Sequence, residues 1–465
     1  MPTGPPSAEP GPRGFGAVGM LTVHITLLLA VPSNLTVAGM GTYGRPAMLW
    51  GLVLLGWWVL WRLEGGVPPA GRGIGPARIA VLLLVLVILM SFAHALLRGQ
   101  PADQISPAIS ALMRTASWCG VFLVAMDGLI DSDDVVRLVR RLVVLTGIVA
   151  ALGLAQFATH RTFLAWAEGI PGMAFGTDDV ASRGVFARAV GTATHPLEFG
   201  AVVVGMLPLA IAAAMGNGFR SGRRMRIGWW LPAGIAVLVA LVSVSRSAII
   251  GLVVAILASM PGMAPRARRI LAILGVLAVA VVAVAVPGMA TTVITLFTGA
   301  EDDPSTRSRA AALSRVPEFL SASPLLGAGF GTFLPRYYIF DDQWVLTLVE
   351  LGIAGAAALA AVFLASGWSA VLAARRLDPA AAAVARASAA SVLTLAVLYA
   401  FFDALGFPMS AGLLFLVAGL CAALYRMSTR SKTSVQSSEV NVNRNHLMGD
   451  LEQRRRPAPD PHGME

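Results

Sequence analysis

The chain has 465 residues, 56% of them hydrophobic and 13% charged, with Lys+Arg 35 against Asp+Glu 25 for a net charge of +10. Its mean hydropathy is +0.74. An ordinary soluble domain carries about 25% charged residues, so this composition excludes a soluble enzyme, a disordered scaffold and a coiled coil. The basic balance does not call for a nucleic-acid partner, because cationic residues in membrane proteins first mark the cytoplasmic side. Cys119 and Cys421 sit inside apolar runs and say nothing about disulfides. No metal-ligand spacing exists and no cofactor is expected.

A span needs about 20 predominantly apolar residues. Residues 1–19 are Pro/Gly-rich without a signal-peptide cleavage pattern and are expected to form a disordered cytoplasmic tail. Spans are predicted near 20–39, 46–62, 79–97, 108–126, 138–157, 196–214, 229–243, 247–260, 269–287, 344–372, 388–402 and 406–425, about twelve in all. They make residues 20–425 an all-α, polytopic integral membrane domain surrounded by lipid. Residues 426–465 are polar and predict a second disordered cytoplasmic tail.

Arginine placement sets the orientation. The clusters around Arg62–Arg78, Arg137–Arg141, Arg220–Arg226, Arg266–Arg269 and Arg375–Arg386 fall in every second connection. Placing all of them inside gives a multi-pass cell-membrane protein with both termini cytoplasmic. Residues 229–260 test this assignment, being apolar except for Ser243-Val244-Ser245-Arg246-Ser247. One helix of that length would reach roughly 48 Å, well beyond the ~30 Å hydrocarbon core. A hairpin turning at Arg246 fits the charges instead, with the turn below the outer surface and Arg246 in a cavity rather than in lipid.

Two outer connections are long, about 158–195 and 288–343. They contain aromatic residues and arginines placed against the positive-inside trend, which suggests an anionic ligand on the outer face. Arg188 to Gly200 reads Arg-Ala-Val-Gly-Thr-Ala-Thr-His-Pro-Leu-Glu-Phe-Gly and runs straight into a span. An arginine fork matches phosphate oxygens bidentately, so Arg188 either holds a diphosphate or anchors at the lipid headgroups. His195 is either a site residue or a plain loop residue. Arg246 is a functional candidate because intramembrane charge is costly; a structural cap is the other reading. Asp341 and Asp342 stand just before a span, as general-base candidates or as solvated carboxylates opening a helix. The glycine cluster Gly327-Ala-Gly329-Phe-Gly331 is no dinucleotide loop, since no strand precedes it.

These motifs, in this order and on this topology, resemble the O-antigen ligase and polymerase family over about residues 185–370. The arginine before a Gly-x-x-x-His-Pro segment is similar to Arg188–Pro196, and the Ser-Arg after an apolar run resembles Ser245-Arg246. A Pro-Leu-x-Gly-x-Gly-x-Gly segment looks like Pro324–Gly331. Where the family's ligases carry His-Asn ahead of Gly-x-x-Gly, this chain has Asp341-Asp342 ahead of Gly352–Gly355 at the same spacing.

The resemblance implies metal-independent glycosyl transfer from a polyprenyl-diphosphate-linked saccharide to a glycan or lipid acceptor at the outer face of the membrane. Arg188 and Arg246 would bind the diphosphate, and Asp341, with Asp342 beside it, would be the base or orient the acceptor. His195, Arg307, Arg309 and Arg336 are weaker candidates for steering the substrate. The aspartate in place of histidine favours polymerase over ligase in cell-surface polysaccharide synthesis. Two other functions remain open on the sequence, a small-solute or anion transporter and a non-enzymatic envelope component.

Overall fold

The computed structural model describes residues 16–65, 75–176, 182–183, 186–219, 227–243, 245–285 and 304–430. The described chain is a helical bundle. In order its helices are α1 (Ala17–Leu29), α2 (Pro46–Leu63), α3 (Pro76–Leu97), α4 (Ala102–Gly128) and α5 (Ser132–Thr159). Then follow α6 (Pro196–Met215), α7 (Trp230–Val242), α8 (Arg246–Ser259) and α9 (Pro265–Ala285). The last four are α10 (Pro304–Leu320), α11 (Gln343–Ala374), α12 (Pro379–Leu398) and α13 (Pro408–Arg430). Among the described residues nine helices are long and apolar enough to cross a membrane, and shorter apolar helices lie at 17–29, 227–242 and 246–259. The protein is therefore a multi-pass membrane protein.

Helix starts follow local chemistry. Pro46, Pro76, Pro196 and Pro379 each open a helix, where the missing N–H is no loss and φ is already helical. Asp131 accepts from Asp134 N at 2.8 Å and Asp378 from Ala380 and Ala381 N at 3.0 and 3.1 Å, satisfying donors that the first turn leaves over. Near the middle of the bundle α6 and α13 are each 89% buried, against 11–33% for α2, α3 and α9. The first two form the core and the other three its lipid-facing wall.

The first helix departs from the predicted span of 20–39. It stops at Leu29, ahead of Pro32, which has no N–H to give and disfavours helix in the residue before it. The chain then leaves the helical layer as a short strand, β1 (Leu35–Val37). This pairs antiparallel with β2 (Met173–Phe175) of the first long connection.

Contacts sort the connections between two ends of the bundle. At one end Arg426 donates to the carbonyls of Asp127 and Leu129, Ser132 to Asp378, and Trp58 to Asp127. Ala17 lies against Gly128 there and Tyr425 against Gly75, so both described termini share this basic end. At the other end, the mouth of the bundle, Ser33 N–H reaches Thr192 O and Gln343 N–H reaches Tyr399 O.

Residues 229–260 do turn back as a hairpin. Trp229 lies on Gly218 near the basic end and Pro232 on Gly147 midway along α5, while Ala248 faces Gly200 near the start of α6. Ser259 to Met263 return to Pro208–Gly216 at the far end of α6. The turn thus lies at the depth of the first turns of α6.

Candidate functional site

The mouth is assembled around the first turn of α6. His195 is its N-cap: Nδ1 accepts from Leu197 N at 3.2 Å. The segment before it is tied down at both ends. Gln156 of α5 accepts from Val190 and Gly191 N at 3.1 and 2.7 Å and donates to Gly191 O at 2.9 Å. Glu198 accepts from Thr194 N at 3.0 Å and, across the bundle, from Met409 N at 2.8 Å. Thr192 Oγ1 donates to Leu29 O at 2.5 Å. Arg188 enters this clamped stretch from its N-terminal side, half-buried and close enough for its charge to act on His195.

Burial, reinforced by Arg188, holds the His195 imidazole below its ordinary value of 6.5, while Asp341 opposes the shift. A neutral imidazole whose Nδ1 accepts a backbone N–H carries its proton on Nε2. His195 is therefore a hydrogen-bond donor at the mouth, and its role as a helix cap was the reading missing from the sequence.

Asp341 and Asp342 divide the work. Asp342 caps α11, its Oδ1 accepting from Trp344 and Val345 N at 2.8 and 3.2 Å. Asp341 acts electrostatically on both His195 and Asp403. Gln343 explains how: its N–H bonds Tyr399 O at 2.8 Å, and its Oε1 accepts from Leu405 N at 2.7 Å. The 399–407 connection is thereby sewn to the start of α11. Phe407 in turn lies 5.9 Å from the His195 ring, centroid to centroid.

Arg246 is the first residue of α8 and half-buried. Gly251 faces Leu398, the last residue of α12. Five residues earlier, roughly 7.5 Å along the helix, Arg246 reaches the level of the 399–407 connection. Side chains cap α6 and α11, whereas none caps α8. Its first N–H groups and the arginine thus sit together at the positive end of a helix dipole.

The remaining candidates are dispersed. Arg336 pairs with Asp103 at the start of α4 and lies over the Tyr337 ring at 4.8 Å. It clasps the second long connection to α4. Arg307 is exposed on α10, and the side chain of Arg309 lies outside the described residues. Phe319 of α10 packs with Phe333, Tyr337, Tyr338 and Phe340, which makes residues 319–340 an aromatic cover.

The glycine cluster has a structural task. Gly352, at φ +68, breaks α11, and residues 324–329 fill the break. Ala328 and Gly329 N–H bond Val349 and Glu350 O at 3.0 and 2.8 Å, and Ile353 N–H bonds Pro324 O at 2.9 Å. The loop thus supplies the partners that the interrupted helix loses. Glu350 just before the break accepts from Phe333 N at 3.2 Å. It also neighbours Arg114 of α4, which donates to Leu405 O at 3.2 Å.

The match to known proteins falls on this region. The O-antigen ligase family model matches residues 231–360, from α7 through the first half of α11. Over this segment the chain is similar to the O-antigen ligase family. The matched stretch contains Arg246, Arg307, Arg309, Arg336, Asp341 and Asp342, while Arg188, His195 and Asp403 come from outside it. No curated protein matches the chain significantly.

Proposed function

We propose that this O-antigen-ligase-type membrane protein transfers saccharide units from a polyprenyl-diphosphate carrier to a glycan or lipid acceptor at the outer face of the cytoplasmic membrane, as a polymerase or ligase of cell-surface polysaccharide. What supports the reading is that Arg188 and Asp341 act on His195 at one end of the bundle and that Arg246 lies at the same depth, within and beside the matched family segment. Opposite the basic end, that mouth is the outer face by the positive-inside rule.

In the reaction, an acceptor hydroxyl oxygen bonds to the anomeric carbon of the donor sugar. The bond from that carbon to the phosphate oxygen breaks, its electron pair leaves with the lipid diphosphate, and the hydroxyl proton passes to Asp341. Arg188, Arg246 and the uncapped start of α8 neutralise the charge that grows on the diphosphate, an electrostatic contribution that commonly dominates such steps. The Nε2–H of His195 donates to the same oxygens. Asp342 keeps α11, and with it Asp341, in place.

Deleting the gene and sizing surface glycans tests the reading. Loss of a polymerase leaves single repeat units on the carrier; loss of a ligase strands full-length glycan there. Arg188→Ala and Arg246→Ala should each lower transfer roughly 10²–10³-fold, the usual cost of removing one such donor, with the protein still inserted. Unchanged glycans together with reduced solute uptake would replace the enzyme by a transporter.

A further inference from the structure

Asp403 lies in the short connection between α12 and α13, outside the matched family segment and outside every motif at the mouth. Two residues on, Leu405 is fixed twice, its N–H to Gln343 Oε1 at 2.7 Å and its carbonyl to an Arg114 guanidinium nitrogen at 3.2 Å. Two residues before Gln343 stands Asp341. Both carboxylates are thus held at one crossing of backbone, and the charge of Asp341 acts on Asp403. The charged and titratable groups around Asp403 are Asp341 from the start of α11 and Arg114 from α4. Beyond them, Glu350 and Arg45 act on Arg114, and His195 packs on Phe407 of the same connection.

Resting on the proposed transfer reaction, we infer that Asp403 is the proton relay of the site, taking from Asp341 the proton removed from the acceptor hydroxyl and passing it to water at the mouth. The balance closes without a further reactant: the glycosidic bond forms, the bond to diphosphate breaks, and one proton moves from hydroxyl to Asp341 to Asp403 to water. Asp403 does not touch the sugar in this scheme. It is a positioning residue acting through Asp341.

A relay near neutral pH must be able to exchange a proton there. Burial pushes the Asp403 carboxyl up to about 6, with the charge of Asp341 adding and its own backbone N–H and Arg114 opposing. Asp403 accepts a proton only when ionised, so the transfer rate should rise as pH increases through about 6.

The test uses full-length protein in proteoliposomes, given the lipid-linked glycan pool extracted from cells lacking the gene, with lipid-linked glycan consumption followed between about pH 4.5 and 8. Wild type should show the rise. Asp403→Asn and Asp403→Ser should lower the rate at pH 8 at least about ten-fold and abolish the rise, the loss expected of a proton-transfer group. Asp341→Asn should be inactive throughout. Retention of the rise in whichever of D403N or D403S accumulates to wild-type amounts overturns the inference. Consumption by wild type with unchanged variant profiles removes the relay alone. No consumption by wild type at any pH removes the transfer reading, and the relay with it.

Discussion

His195 shows how one side chain can hold a structural and a chemical role on different atoms. Nδ1 accepts from Leu197 N at 3.2 Å and closes the first turn of α6, leaving the proton on Nε2. The two roles separate by substitution. Asparagine is as good an N-cap as any residue, so His195→Asn should leave thermal stability within a few tenths of a kcal/mol and cut transfer about ten-fold, the worth of one hydrogen bond of ~1.4 kcal/mol. His195→Ala loses the cap too and should cost about 1 kcal/mol more. Wild-type rates from an inserted H195N would confine His195 to capping. The pH dependence has a definite sign. The folded imidazole sits below its ordinary 6.5, so below that pH the unfolded chain binds the extra proton and stability falls. H195N lacks that uptake, and its melting temperature should drop less than that of wild type between about pH 7 and 5. Arg188 and His195 were visible in the sequence because rare residue types abut a span. The partners that aim them, Gln156, Ser33 and Gln343, carried no comparable signal, being ordinary polar residues whose contacts form only after distant segments meet.

At the scale of elements, the break in α11 is what shapes the mouth. An unbroken 343–374 helix would carry Glu350 straight past the loop, whereas Gly352 at φ +68 opens the ladder and residues 324–329 fill it. A Cβ on Gly352 would overlap the Leu325 backbone, and one on Gly327 would overlap that of Glu350. Both positions also have positive φ, which costs an L-residue about 1–3 kcal/mol before any clash. Gly327→Ala and Gly352→Ala should therefore lower melting temperature and transfer together, while Gly367→Ala, a helical position where a Cβ meets only Val392 in ordinary contact at 4.0 Å, should lower neither; thermal unfolding of the detergent-solubilised chain checks this. Wild-type melting of both G327A and G352A would remove the loop-in-break account. The sequence announced the glycines by their spacing, but not their task, because one cluster reads alike as a ligand loop and as backbone crowding until the opposite strand of chain is known. The same ambiguity hid the strand at Leu35–Val37: apolar composition extends the first span, and only Pro32 hints that the helix ends at Leu29.

Across the whole molecule, the separation of charge is the feature that the sequence conveyed most completely. Basic clusters in alternate connections required the predicted spans 229–243 and 247–260 to run in opposite directions, and α7 and α8 do, flanking α6 with their turn at the depth of Gly200. Composition alone could not place the sparse charges within and beside the spans. Arg114, Glu350 and Asp403 lie far apart in sequence and meet where α4, α11 and the 399–407 connection converge. The topology that brings them to one end has a direct physical check. Gly169, in the first long connection, and Gly228, between α6 and α7, are both exposed with open space for a side chain. With Cys119 and Cys421 replaced by alanine, Gly169→Cys should react with a membrane-impermeant maleimide on intact cells, whereas Gly228→Cys should react only after permeabilisation. Arginine bias makes this the expected orientation, since basic connections are retained on the cytoplasmic side. Labelling of G228C alone on intact cells would invert the molecule and turn the mouth toward the cytoplasm, where a donor facing outward could not reach Arg188, Arg246 and Asp341. Equal labelling of both positions on intact cells would break the alternation itself and remove the short α7–α8 hairpin from the membrane path.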